Sequence, residues 1–165
     1  MARPTSTQPL IPSILDRLID YEPEKAEESE KSRSQVIKEL RESVRRDLEN
    51  LLNTRLPCMN MSKENDALTG TSAYYGIPDF SGANLQSGES RERFRATIEN
   101  AIRRNETRFK SVNVELLEDM DDLERSLHFR IDALLNVEPA IKPIVFDSSL
   151  EPVTRNFKVK DIERE

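Results

Sequence analysis

The sequence predicts an α+β domain: helices in the first part of the chain, then a small, mainly antiparallel sheet packed against them. Three observations carry that expectation. Two long segments repeat apolar residues at helical spacing, and three later ones alternate apolar with polar residues. The change of period falls in one short stretch, IRRNETRF at residues 102–109. With 165 residues, 36% of them apolar and 34% charged, the chain suits one domain with a modest core and an arm.

Residues 13–20 place Ile14, Leu15, Leu18 and Ile19 at helical spacing, with Ser13 and Asp16 suited to an N-terminal cap. The following YEPEKAEESEKSRSQ is polar and broken by Pro23, as a solvated linker is. Residues 1–31 therefore read as an N-terminal arm and 32–165 as the main domain. A helix this short is marginal alone in water, so its apolar face needs a surface, on its own domain or on another protein.

The strongest helix follows. Ser32 and Gln35 fit a capping box, and Val36, Leu40, Val44, Leu48, Leu51 and Leu52 form one apolar stripe, read as core. Glu42 and Arg46 are spaced for an i,i+4 pair, and Pro57 stops the helix. From residue 56 to 90 punctuation replaces periodicity: YYGIPDFSGANLQSGES holds three of the four glycines. Tyr74, Tyr75, Ile77 and Phe80 are expected to pin this loop to the domain. Its glycines match no phosphate-binding fingerprint and lack the Lys-Ser/Thr that would follow one. A second helix is expected over 89–104, with Phe94, Ile98, Ala101 and Ile102 on one side.

Alternation then marks the strands. Val112, Val114 and Leu116 alternate with polar residues, as do Leu127, Phe129, Ile131, Ala133, Leu135 and Val137. Val153, Phe157 and Val159 repeat the pattern, with Arg155 interrupting it. The polar EDMDDLERS between the first two predicts an antiparallel pair.

Composition removes several classes of function. A net charge of −6 lacks the basic balance of a phosphate-tracking nucleic-acid binder. A single cysteine, Cys58, gives neither an internal disulfide nor a zinc constellation, and fits a reducing compartment. No stretch approaches the roughly 20 apolar residues needed to span a bilayer, and the first twenty residues lack the unbroken apolar run of a secretory signal. The sequons at Asn60 and Asn105 then read as chance matches, and a cytoplasmic location is expected.

Catalysis needs a nucleophile with its base, a metal cluster, or two carboxylates across a cleft. His128, the only histidine, falls on the polar side of its strand and reads as exposed or at an edge. Cys58, beside a helix-ending proline, reads as a small, partly buried residue. Among 31 acidic residues, Glu106 can be drawn with Asp119, Asp121 or Asp122 as a glycosidase pair, but nothing favours that drawing over others. Glu106 and Arg108, at i and i+2, share a face if the chain is extended. A carboxylate paired with arginine favours its charged form, the wrong direction for a general acid. The pair therefore points to a structural or docking role. No catalytic residue, cofactor or metal ligand is assigned.

Four stretches together resemble the TssE family, the wedge component of the type VI secretion baseplate, which is similar to phage tail baseplate wedge proteins once named lysozyme-like. They are SILDRL, VRRDLENLLNTR, YYGIPDFS and the Glu-x-Arg junction, and the resemblance runs from about residue 13 to 159. In that family the junction reads Glu-Pro-Arg; here Thr107 takes the place of the proline, which leaves the charges and removes a rigid φ. The resemblance implies a fold like the sheath subunits' interlocking domain. It implies assembly with TssF and TssG, with TssK as a further candidate, at the baseplate on the cytoplasmic side of the inner membrane. It also implies contact with the TssB/TssC sheath, for which an edge strand carrying Val153, Phe157 and Val159 can accept an added strand. Glu106 and Arg108 would then supply a charged contact between chains, and Ile14, Leu15, Leu18 and Ile19 a helix-in-groove anchor. Alanine at either charge is expected to leave the monomer folded and to weaken wedge assembly. The rival reading is a peptidoglycan hydrolase, as the historical family name suggests.

Overall fold

The computed structural model describes residues 14–19, 23–24, 32–56, 71–80, 87–117, 127–137, 140–151 and 156–162. The arm helix is one short turn and a half, α1 (Ile14–Leu18). Helix α2 (Arg33–Asn53) starts at the expected capping box: the Ser32 hydroxyl accepts from the Gln35 amide at 3.3 Å, and Gln35 Oε1 accepts from the Ser32 amide at 2.8 Å. Its stripe goes inward. Val44, Leu48, Leu51 and Leu52 are buried, and Leu40 packs against them. Glu42 takes Arg45 as a bidentate partner, not the expected Arg46, because Arg46 is drawn to Asp16 of the arm. The pair lowers the Glu42 pKa, through the Arg45 hydrogen bonds first.

Helix α3 (Gly88–Asn105) matches its expectation within a residue at each end and buries Phe94, Ile98, Ala101 and Ile102. The intervening loop is pinned where the aromatics suggested. A single 3-10 turn (Ser72–Tyr74) precedes it, Ile77 is buried, and Phe80 sets its ring edge-on to Phe94 at 4.8 Å. Ile77 bridges in parallel to Arg55: its amide donates to Thr54 O at 2.9 Å and its carbonyl accepts from Leu56 at 2.9 Å. Gly76 makes this approach feasible. Its φ is +115°, and a Cβ there would lie 2.4 Å from Thr54 O, so alanine meets both backbone strain and a backbone clash. Gly76→Ala should cost roughly 1–3 kcal/mol in urea denaturation. A loss below about 0.5 kcal/mol, the size of an ordinary surface change, would contradict this geometry.

Four antiparallel strands follow in the spatial order β1-β2-β3-β4: Phe109–Leu116, Leu127–Val137, Ala140–Leu150 and Phe157–Ile162. Three were anticipated; β3 was not. Its sequence, AIKPIVFDSSL, does not alternate cleanly, since Ile144, Val145 and Phe146 are buried in succession and Ser148 takes an inward position. Pro143 also argues against an inner strand on sequence grounds. The sheet presents Val112, Val114, Phe129, Ile131, Ala133, Leu135, Phe146, Phe157 and Val159 to the helices as one core. Helix α3 covers the β1 side and α2 the β4 side.

The other face is polar. Register aligns Glu115, Arg130, Asp147 and Lys160 across all four strands, an alternating row of charges in which Arg130 Nε reaches Asp147 Oδ1 at 2.9 Å. His128, two residues from Arg130 on the same face, is half-buried on the inner strand β2, where the sequence led us to expect it exposed or at an edge. Pro57, Cys58, Val153, Arg155 and the EDMDDLER connection (residues 118–125) lie outside the described residues.

Candidate functional site

The junction from α3 to β1 is built on Glu106. It is the C-cap of α3, with φ −101° and ψ 89°, and its amide still donates to Ile102 O at 2.8 Å. The chain turns at Thr107 and Arg108 before β1 begins, so Glu106 and Arg108 meet through a turn and not along an extended strand. Glu106 Oε1 accepts from the Arg108 amide at 3.1 Å and from Arg108 Nε at 2.7 Å, while Oε2 accepts from Nη2 at 2.5 Å. The carboxylate thereby closes the turn that a proline would otherwise stiffen. Glu106 is only 7% exposed.

Arg108 then reaches across to α2. Nη2 bonds Asp47 Oδ2 at 2.6 Å, and Nη1 donates to the Ser43 hydroxyl at 3.2 Å. That hydroxyl donates onward to Asp16 Oδ2 at 2.8 Å, and Asp16 Oδ1 accepts from Arg46 Nη2 at 2.7 Å. The Arg108 carbonyl accepts the Asn136 amide at 2.9 Å, tying the turn to β2. One network thus joins α1, α2, the junction and the sheet. Burial works against the Arg108 charge, but Glu106 and Asp47 outweigh it and hold the guanidinium more firmly protonated than usual.

A cleft of about 370 Å³ opens at this corner. Leu48 and Leu51 contribute apolar wall, Tyr75 stands opposite, and Asp47, Glu106, Thr107 and Arg108 supply the polar lining. Burial first, then the charges of Asp47 and Glu106, push the Tyr75 phenol above its ordinary range. Chemically the corner is a fork clamped between carboxylates. Both Glu106 oxygens are engaged by Arg108, and Asp47 Oδ2 shares the same guanidinium. Among the described residues, no group of three or more His, Cys, Asp or Glu side chains is placed to hold a metal.

The arm helix is tied to α2 with its sides reversed from the usual order. Asp16 faces α2, and Ile14, Leu15 and Leu18 are 78%, 57% and 75% exposed, with Ile19 half-buried. Phe157 and Val159 lie elsewhere, with their side chains buried under a different face of α2. There Asn53 Nδ2 donates to Phe157 O at 3.0 Å, Asn53 Oδ1 accepts from Phe157 N at 2.8 Å, and Arg45 Nη1 donates to Val159 O at 3.2 Å. Sequence reasoning missed Ser43 and Asp47. Their i,i+4 spacing beside the apolar stripe is the signal that was available, but their partner sits 61–65 residues away.

The profile of the family described as "Baseplate wedge protein gp25" matches residues 38–140, more than half of the chain, and includes the whole Glu106–Arg108–Asp47 corner. This chain belongs to the gp25 baseplate wedge family. It is therefore related to structural components of a baseplate. Helix α1 and strand β4 fall outside the matched segment. A chain of the solved structure "The baseplate complex from the type VI secretion system" is 16% identical, over 79% of this chain and 97% of that one, with a TM-score of 0.45. No curated protein matches. No described helix of this family member is long and apolar enough to cross a membrane.

Proposed function

We propose that this gp25-family chain is a TssE-type assembly subunit without a reaction of its own. In this reading it joins TssF and TssG, with TssK as a further neighbour, in the cytoplasmic wedge of a type VI secretion baseplate. The observation that carries the reading is the apolar face of α1, left exposed while its polar side is tied to α2 through Asp16. An orientation that leaves Leu15 and Leu18 in water is costly for the isolated chain and useful to one that docks. The junction charges shape the cleft from within, and Thr107 offers its exposed side chain at the rim. The arm, residues 1–31, serves as the docking limb and residues 32–165 as the body.

The sheath contact belongs to the other flank. Strand addition by TssB/TssC along Val153, Phe157 and Val159 requires Asn53 and Arg45 to release the outer side of β4 first. The test of the docking limb is Leu15→Asp with Leu18→Asp. Capture of TssF and TssG should fall roughly 30-fold or more, since two leucine contacts are together worth a few kcal/mol, while the melting temperature should hold. Undiminished capture would sink the docking role of α1. Cleavage of purified sacculi by the protein, abolished by Glu106→Gln, would instead establish the hydrolase.

A further inference from the structure

The two long helices carry the same charged pattern, Glu-x-x-Arg-x-x-x-Glu, at Glu42-Arg45-Glu49 and at Glu92-Arg95-Glu99. The geometry repeats with the pattern. Arg45 binds Glu42 through Nε and Nη2 and Glu49 through Nη1 at 2.7 Å; Arg95 binds Glu92 through Nε and Nη2 and Glu99 through Nη1 at 2.6 Å. The same Nη1 then donates to a strand carbonyl in each case: Val159 O at 3.2 Å on β4, and Val114 O at 3.4 Å on β1. Each arginine is flanked by equivalent core positions, Val44 and Leu48 in one helix and Phe94 and Ile98 in the other, all buried. The helix–strand units α2/β4 and α3/β1 are thus built alike.

Strands β4 and β1 are the two edges of the sheet. Their outward backbone groups are the ones that the helices engage. On β4, Asn53 takes both the amide and the carbonyl of Phe157, and Arg45 takes the carbonyl of Val159 two residues on. On β1, Glu99 Oε2 accepts the Val114 amide at 3.4 Å, and Arg103 Nη2 approaches Val112 O at 3.5 Å. A row of open amides and carbonyls is a template for another strand, and an edge strand of the same sequence is always at hand in a second molecule. The flanking glutamates hold each arginine fork in place, so the donor is positioned without further ordering.

We infer that the repeated Glu-x-x-Arg-x-x-x-Glu units are edge locks, which keep the free subunit from pairing edge to edge with a second copy of this chain. The inference is independent of the type VI reading. Arg95→Met with Arg103→Met removes the donors to Val114 and Val112 on β1, and Arg45→Met with Asn53→Leu removes those to Val159 and Phe157 on β4, each keeping apolar bulk. In sedimentation equilibrium the variants should show a mass that rises toward twice 19.0 kDa with concentration, above that of the unaltered chain measured alongside. Variants with an unchanged melting temperature and an unchanged mass would overturn the locks. Hydrogen exchange on the unaltered chain needs no variant. The Val114 and Phe157 amides should exchange on the order of 100-fold or more slower than unprotected amides. Exchange at the unprotected rate would mean that the edges stand open, and the proposal would fail.

Discussion

Arg108→Ala should destabilise the folded monomer by about 3–5 kcal/mol, because it strips the counter-charge from a carboxylate buried to 7% exposure. For a chain of this length that is a drop of roughly 6–20 °C in melting temperature. The arginine ties Glu106, Asp47 and Ser43 together, so its loss also releases the junction from α2. Glu106→Gln should cost less, about 1–2 kcal/mol, since Arg108 keeps Asp47 and the amide oxygen still accepts. Urea denaturation of both variants and of the pair gives the coupling directly. This outcome replaces the expectation from sequence that alanine here spares the monomer. A loss below about 1 kcal/mol for Arg108→Ala, with wedge assembly abolished, would restore that expectation and make the pair a contact between chains.

Phe94→Ala carries the other large effect, about 3–5 kcal/mol. The ring is fully buried at the meeting point of loop, helix and sheet: edge-on to Phe80 at 4.8 Å and to Phe129 at 6.2 Å, and stacked with Phe157 at 6.4 Å. Removing it leaves a void that three other rings line and that two packed helices and a sheet cannot close. Phe94→Leu fills part of that space and should cost about half as much. If Phe94→Ala moved the urea midpoint by less than about 1 kcal/mol worth of stability, the aromatic cluster would not be the keystone described.

These two side chains differ in how legible they were. Phe94 announces itself, because Phe94, Ile98 and Ile102 repeat at the period of a helix whose other face is charged. Glu106 and Arg108 were legible as a pair, but not the reach of that pair into α2. The further partners of Arg108, Asp47 and Ser43, lie on another helix, and only folding brings that helix to the junction. Strand β3 was invisible for a related reason. Its buried run Ile144–Phe146 and inward Ser148 break the alternation, and Pro143 argues against an inner strand; only its pairing with both β2 and β4 shows what it is.

Local chemistry therefore settled the capping box at Ser32, both long helices, three of the four strands and the change of period between Asn105 and Phe109. Each rests on residues within a few positions of one another, whose spacing alone decides which face turns away from water. Tertiary structure decided the rest: that Asp16 and not Leu15 faces the body, that Glu106 spends its charge inside the chain, and that matching arginines on α2 and α3 close the sheet's two edges. Apart from the Glu106–Arg108 bond itself, those outcomes depend on which ions and backbone groups meet across 15 to more than 100 residues of chain, and a charge has no period by which to foretell its partner.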